Sequence, residues 1–166
     1  MSAGPSGRPH APRYALLLDL RGRAALVVGG GPVAARRAAG LVDAGAAVTV
    51  IAPSICEDLA DLVAQGHITW WPREATPADV LADPRWWLVH TATGDLPVDD
   101  AIARTAHEAR IWCVAADAAE ESAAHVPAVA HGPDGVQVAV CGGGDPGRAR
   151  AIRNAISAQL AAGALP

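Results

Sequence analysis

Near the start of the chain, Gly29-Gly30-Gly31-Pro32-Val33-Ala34 reads G-x-G-x-x-A, and no other feature restricts the fold as strongly. The run Ala24–Gly29 before it is short, apolar and glycine-ended, as a strand buried on both faces should be. The segment from Gly30 to Gly45 after it carries Val33, Arg37, Leu41 and Val42 at helical spacing. A strand that turns at once into a helix presents the helix N-terminus, with its free N–H groups and positive dipole end, to whatever lies above the strand. Each position then has a physical reason. Gly29 permits the tight turn, and Gly31 keeps a Cβ out of the path of a pyrophosphate. Ala34 lets helix and strand approach, and Pro32 stands where a first-turn residue needs no N–H. Glycine turns also occur for purely structural reasons, but this one has the strand, the helix and a second β-rich run in the order that dinucleotide binding requires.

The pattern continues as alternating strands and helices. Ala47–Ile51 is a β-rich run closed by Pro53. Cys56–Gln65 has helical spacing through Leu59, Leu62 and Val63, and Gly66 ends it. Ile68–Trp71, Trp87–Thr91 and Ile111–Ala115 are three further candidate strands, with a helix over Pro97–Ala109. Such alternation predicts βαβ units and a Rossmann-like α/β fold with a parallel sheet of about five strands, spanning residues 14–116. After Ala116 the rhythm changes. Val126–Ala130 and Val136–Val140 flank the turn formers His131–Gly135, which predicts a hairpin. Asp145 then reads as an N-cap and Pro146 as the first residue of a helix with an apolar stripe of Ala149, Ile152, Ile156 and Leu160. This hairpin-and-helix extension, residues 117–166, is a candidate dimerisation element because exposed strand edges need a partner. Residues 1–13 read as a disordered leader.

Composition excludes several classes. The 166 residues are 51% hydrophobic and 18% charged, so a packed core is expected. A net charge of −4 argues against a nucleic-acid partner. No apolar run approaches the ~20 residues that span a bilayer, nor does the N-terminus hold a signal-peptide core, so a cytoplasmic, membrane-free protein is expected. Cys56, Cys113 and Cys141 form no C-x-x-C pair and read as buried, inert thiols. His90 and His125 lack a second ligand at metal spacing and read as structural histidines; no metal site is identified. Trp70-Trp71 and Trp86-Trp87 read as core and surface cover, with an interface role also open.

With the glycine loop in place, a resemblance can be stated. Leu18–Arg37 and Leu41–Pro53 resemble the opening of the precorrin-2 dehydrogenase / sirohydrochlorin ferrochelatase family, the N-terminal part of siroheme synthases. Thr91–Asp95 resembles the family's A-A-T-D-D loop, Cys113–Ala118 its C-N-V-V-D segment, and Val138–Pro146 its V-A-V-S-x-G-G-x-S-P turn. The similarity covers residues 14–160, although Cys141–Asp145 is one residue shorter than the family's serine-rich turn and lacks its hydroxyls. The resemblance implies oxidation of precorrin-2 to sirohydrochlorin with NAD as hydride acceptor, and in bifunctional members insertion of Fe2+. It implies NAD contacts at Pro32 and Val33, at Pro53 and Ser54, and at the loop containing Thr93. It maps the catalytic carboxylate to Asp117.

The residues themselves add weight at some points and leave others open. Asp117 follows the fifth strand at the carboxyl edge, where open α/β sheets bind ligands and a general base would be useful; an N-cap or a solvated loop residue is the bland alternative. Val50–Ser54 holds no acid for a ribose and no arginine for a 2′-phosphate, so NAD and NADP are not separated. Arg150 and Arg153 share a helix face and are candidates for clamping substrate carboxylates, or form a solvated face. An NAD-binding sensor domain without chemistry is the competing class.

Overall fold

The computed structural model describes residues 14–115, 122 and 124–164. Five parallel strands form one sheet in the order β3-β2-β1-β4-β5. They are β1 (Ala24–Val28), β2 (Ala47–Ile51), β3 (Ile68–Trp71), β4 (Leu88–Thr91) and β5 (Trp112–Ala115). The crossovers carry α1 (Pro32–Asp43), α2 (Glu57–Ala64), the short α3 (Ala78–Leu81) and α4 (Leu96–Glu108). The parallel α/β architecture read from the alternation is therefore present, with α3 as an element that periodicity did not announce, since four residues are too few to show a helical period.

The sheet is covered on both faces. Alternate residues of β1 serve opposite layers. Ala25 and Val27 join Ala34, Ala35, Ala38, Leu41 and Leu59 on one side, whereas Leu26 and Val28 join Val89, Ile102, Ala106 and Cys113 on the other. Each fully buried aliphatic side chain contributes roughly 1.5–3 kcal/mol. The three buried alanines of α1 explain why an alanine-rich chain without phenylalanine packs well: small side chains let the helix lie close to the sheet.

The register decides where the loops meet. Val28 lies level with Ile51 on one side and with Thr91 on the other. The three strands therefore end together at their carboxyl edge, and the loops beginning at Gly29, Ala52 and Ala92 emerge side by side.

Residues 18–125 form one compact unit; residues 14–17 and 126–164 belong to a second. In that second unit β6 (Ala128–His131) and β7 (Gln137–Val140) form the expected antiparallel hairpin, and α5 (Pro146–Ala161) packs on both strands. Asp145 caps α5 by accepting from the Gly147 and Arg148 amides at 2.8 and 3.0 Å, as the sequence predicts. The apolar stripe is realised only in part: Ala149 and Leu160 are buried, Ile156 is half-buried, and Ile152 is exposed. At about 100° per residue Leu160 lies within about 20° of Ala149, whereas Ile152 is displaced by about 60°.

A buried carboxylate organises the segment after β3. Asp79 accepts from the Arg73 guanidinium at 2.9 Å, from the Thr76 amide at 2.7 Å and from its hydroxyl at 3.1 Å. Its own carbonyl accepts from the Trp86 indole at 2.8 Å. The Arg73 guanidinium, with help from Thr76, holds the Asp79 carboxyl down at about 2, against 3.8 for a free aspartate. A depressed carboxylate stabilises the fold fully above its unfolded value and loses that contribution as pH falls. Asp79→Asn is therefore expected to lower the unfolding free energy by about 2 kcal/mol at neutral pH. The difference from the wild type should shrink as pH drops from about 4 toward about 2, and urea titrations at pH 7 and pH 3 check this. Equal stabilities at pH 7 would deny the carboxylate its structural role.

Candidate dinucleotide-binding site

The three loop glycines do three different things. Gly29 adopts φ +125°, and a Cβ there would strike the Ala92 carbonyl; its amide donates to the Ile51 carbonyl at 3.0 Å. Gly30 lies outside the left-handed region, yet a Cβ would drive into the Ser54 carbonyl. Its own carbonyl accepts from the Cys56 amide at 2.8 Å, binding the loop after β2 to the loop after β1. Gly31 is the N-cap of α1, and a Cβ there would meet nothing within 4 Å. Two glycines are thus demanded by the protein's own backbone, while the third keeps open space in front of the helix. The G-x-G-x-x-A pattern assigns Gly30 no role; the need for it arises from a loop more than twenty residues away in sequence.

Above Gly31 the first turn of α1 presents its donors. Pro32 occupies the first helical position, and the amides of Val33 and Ala34 have no acceptor in the preceding backbone. Ala34 is fully buried against the sheet. Bare backbone, unpaired N–H groups and a helix N-terminus fit a pyrophosphate.

This loop floors a cleft of about 570 Å3. Pro53 and Ser54 form one wall, Thr93 and Asp95 another, and Glu74 with Ala75 a third. The walls are anchored. The Trp70 indole donates to the Ala52 carbonyl at 2.9 Å. Thr93 Oγ1 donates to the buried Asp99 Oδ1 at 2.7 Å and accepts from the Asp95 amide at 3.0 Å. Asp95 caps α4 by accepting from the Val98 amide. The Thr93 hydroxyl therefore shapes its own loop and has only acceptor capacity left for a ligand. Glu74 is a lining residue that sequence reasoning missed; its place three residues beyond β3, at the same sheet edge, was the available signal.

The remaining candidates fall as follows. Pro32, Val33 and Ala34 stand at the helix start and Pro53, Ser54 and Thr93 in the cleft walls. Asp117 lies outside the described residues, two positions beyond the end of β5. Arg150 and Arg153 are on α5 in the second unit; Arg150 is exposed, and Arg153 is half-buried with an Nε that bonds no described residue. His90 is buried, and burial together with the Arg37 charge pulls it down to about 4, so it is neutral at physiological pH. Of the three thiols expected to be buried, only Cys113 is; Cys56 is half-buried and Cys141 exposed. Burial and the Asp99 carboxylate push Cys113 up to about 11, which keeps it a thiol at neutral pH. Among the described residues no group of His, Cys, Asp and Glu could hold a metal ion, and no helix is long and apolar enough to cross a membrane.

Residues 16–128 match the sequence family described as "Putative NAD(P)-binding". The chain belongs to this family. It is 37% identical over 136 residues to siroheme synthase 3 of Aeromonas hydrophila, covering 81% of this chain and 28% of that protein. It is 39% identical over 153 residues to the siroheme synthase of Gluconacetobacter diazotrophicus, covering 90% of this chain and 32% of that one. The chain thus spans about a third of the length of the curated relatives it matches. Among solved structures it is similar to SirC, a precorrin-2 dehydrogenase, with a TM-score of 0.73 and 27% identity over 89% of this chain and 71% of that one. The resemblance seen in the sequence is borne out, and the NAD(P)-binding fold now rests on both sequence and architecture.

The division among the glycines has a direct consequence. Gly31→Val is expected to leave the thermal midpoint within a few degrees of wild type while weakening NAD binding at least tenfold. Gly30→Val is expected to lower the midpoint itself, because the Ser54 carbonyl must move. Calorimetric NAD titration with thermal unfolding separates the two; intact binding by the Gly31 variant would refute the cradle.

Proposed function

We propose that this chain oxidises precorrin-2 to sirohydrochlorin with NAD+, a step in siroheme formation. The observation that carries the reading is the open glycine cradle at the carboxyl edge of the sheet, on a chain similar to siroheme synthases and to a precorrin-2 dehydrogenase. Bound NAD+ supplies the hydride acceptor. The chain's part is to hold the pyrophosphate on the amides of Gly31, Val33 and Ala34, and the ribose against Pro53 and Ser54. Asp117 acts as general base, taking a pyrrole N–H proton as a ring carbon loses hydride, so that two electrons and two hydrogens leave the substrate together. Arg150 and Arg153 hold substrate carboxylates, and the β6–β7 hairpin serves a homodimer. Fe2+ insertion into sirohydrochlorin, with iron as substrate, is a second activity to be assayed separately. Localisation in the cytoplasm accords with this chemistry.

The lining also bears on which nicotinamide cofactor is preferred. Glu74 and Asp95 are the charged residues of the described cleft, and no arginine lines it. A carboxylate suits a ribose diol and repels a 2′-phosphate. Glu74→Gln is expected to narrow the preference for NAD+ over NADP+ severalfold, read from kcat/KM with each cofactor; an unchanged ratio would remove Glu74 from cofactor selection.

The decisive assay is anaerobic incubation with precorrin-2 and NAD+, followed by visible spectroscopy, and then addition of Fe2+. Asp117→Asn should bind NAD+ as the wild type does and lose dehydrogenation by about 100-fold or more. Turnover by that variant at the wild-type rate would reject the assigned base. NAD+ binding without any change to precorrin-2 would instead identify a sensor domain.

A further inference from the structure

The amino edge of the same sheet carries a second cleft, of about 550 Å3, that neither the nucleotide nor the proposed reaction uses. It lies between the segment leading into β4 and the turn from α4 to β5. Trp86 is buried and fixed by its bond to the Asp79 carbonyl, whereas Trp87 and Trp112 are each 45% exposed. Arg85 and Arg110 stand beside these indoles, and among the described residues no Asp or Glu lines the cleft. Neither guanidinium makes an ion pair or a side-chain hydrogen bond with any described residue. On a chain with net charge −4, two unneutralised cations beside exposed indoles form a locally positive, aromatic-walled cavity. Its size falls in the range of small-molecule sites.

The backbone at Arg110 supplies an independent argument. Among the described residues four helices end in the same way, with a left-handed residue just past the cap. Three of those residues are glycine: Gly45 at φ +77°, Gly66 at +73° and Gly163 at +64°. The fourth is Arg110, at φ +58°. The hydrogen bonds are equivalent: Gly45 donates to Val42 and Ala46 to Leu41, just as Arg110 donates to His107 and Ile111 to Ala106. Glycine takes this conformation without strain and an L side chain does not. A cation near the last carbonyls does favour the helix dipole, but any position of the final turn provides that without a left-handed backbone. Arg110 takes this conformation and lines the cleft, and an outlier of this kind points to a role for its side chain.

We propose that this cleft binds a small planar anion, an aromatic ring bearing carboxylate or phosphate. The ring lies against the indoles of Trp87 and Trp112, and the charge sits between Arg85 and Arg110. Guanidinium forks recognise either anion, and indole faces accept a flat ring. The site is independent of the nucleotide cleft, so it stands or falls separately from the dehydrogenase reading.

The test uses the full chain saturated with NAD+, which blocks the carboxyl-edge cleft. Calorimetry follows naphthalene-2,6-dicarboxylate, AMP and the neutral naphthalene-2,6-dimethanol, while NMR follows the indole N–H signals. Saturable binding of either anion is expected, with shifts at Trp87 and Trp112, and the tighter of the two names the anion. Arg110→Gly and Arg85→Gln should each weaken binding at least tenfold. Arg110→Gly should also leave the thermal midpoint unchanged or raise it. The proposal is overturned if the neutral diol binds as tightly, if both variants bind as wild type, or if shifts fall only on Trp70 and Trp71. Concentration-dependent self-association abolished by Arg110→Gly would overturn it too, in favour of a contact between chains.

Discussion

The ends of β1, β2 and β4 converge so closely that two positions of the glycine loop have no room for a side chain. Gly29 faces the Ala92 carbonyl and Gly30 the Ser54 carbonyl, because the register sets Val28 level with both Ile51 and Thr91. That convergence brings the loops after three strands into one cleft. It also turns the chain abruptly enough that α1 starts with its amides facing outward. Without the level strand ends, the same G-x-G-x-x-A would be a turn with nothing above it. The electrostatics of the helix terminus is a general property; its use here depends on backbone packed too tightly for a Cβ.

This origin explains which parts of the site were legible. The parallel sheet could be read because the strands are short runs of four or five largely apolar residues, several of them closed by glycine or proline, and the longer helices repeat at their own period. Gly29, Gly31 and Ala34 belong to a local pattern whose meaning travels with its spacing. Gly30 and Glu74 do not. Their roles come from Ser54 and from the neighbouring strand end, and no short-range pattern records a contact of that kind. The Asp79 cluster was equally silent. An aspartate six residues after an arginine in an irregular segment looks like any solvated pair, and only burial turns it into an anchor. Ile152 shows the opposite error, an apolar residue close to the right spacing whose angular offset leaves it outside the packed face.

The two buried aspartates of the sheet unit follow one logic. Asp79 and Asp99 both lie in the interior and both hold loops through backbone and side-chain donors, Asp79 through Thr76 and Asp99 through Thr93. Threonine supplies an amide and a hydroxyl to one carboxylate, which ties a short loop to a buried charge. The Thr93 loop is a wall of the nucleotide cleft, and the Asp79 cluster borders Glu74 and Ala75, which form another. The cleft's shape therefore depends on charges placed behind its walls.

The tryptophans complete the division between core and edge. A chain with no phenylalanine and five tryptophans builds its interior from alanine, valine and leucine, which pack flat between sheet and helices. It buries Trp86 and leaves the other four tryptophans partly open at the margins. An indole suits that position because it covers apolar area while its N–H reaches a loop carbonyl that the ladder cannot satisfy. Trp70 does this for Ala52 beside the nucleotide cleft, and Trp86 does it for Asp79. Trp87 and Trp112 differ in remaining half open. Trp87 has the Arg23 guanidinium 4.0 Å over its ring, so even the cover on this indole is cationic. An aromatic residue at a sheet edge is ordinarily explained by the carbonyl it satisfies or the surface it buries. Where neither accounts for it, and positive charge gathers beside it, a ligand that brings negative charge is the reading we propose.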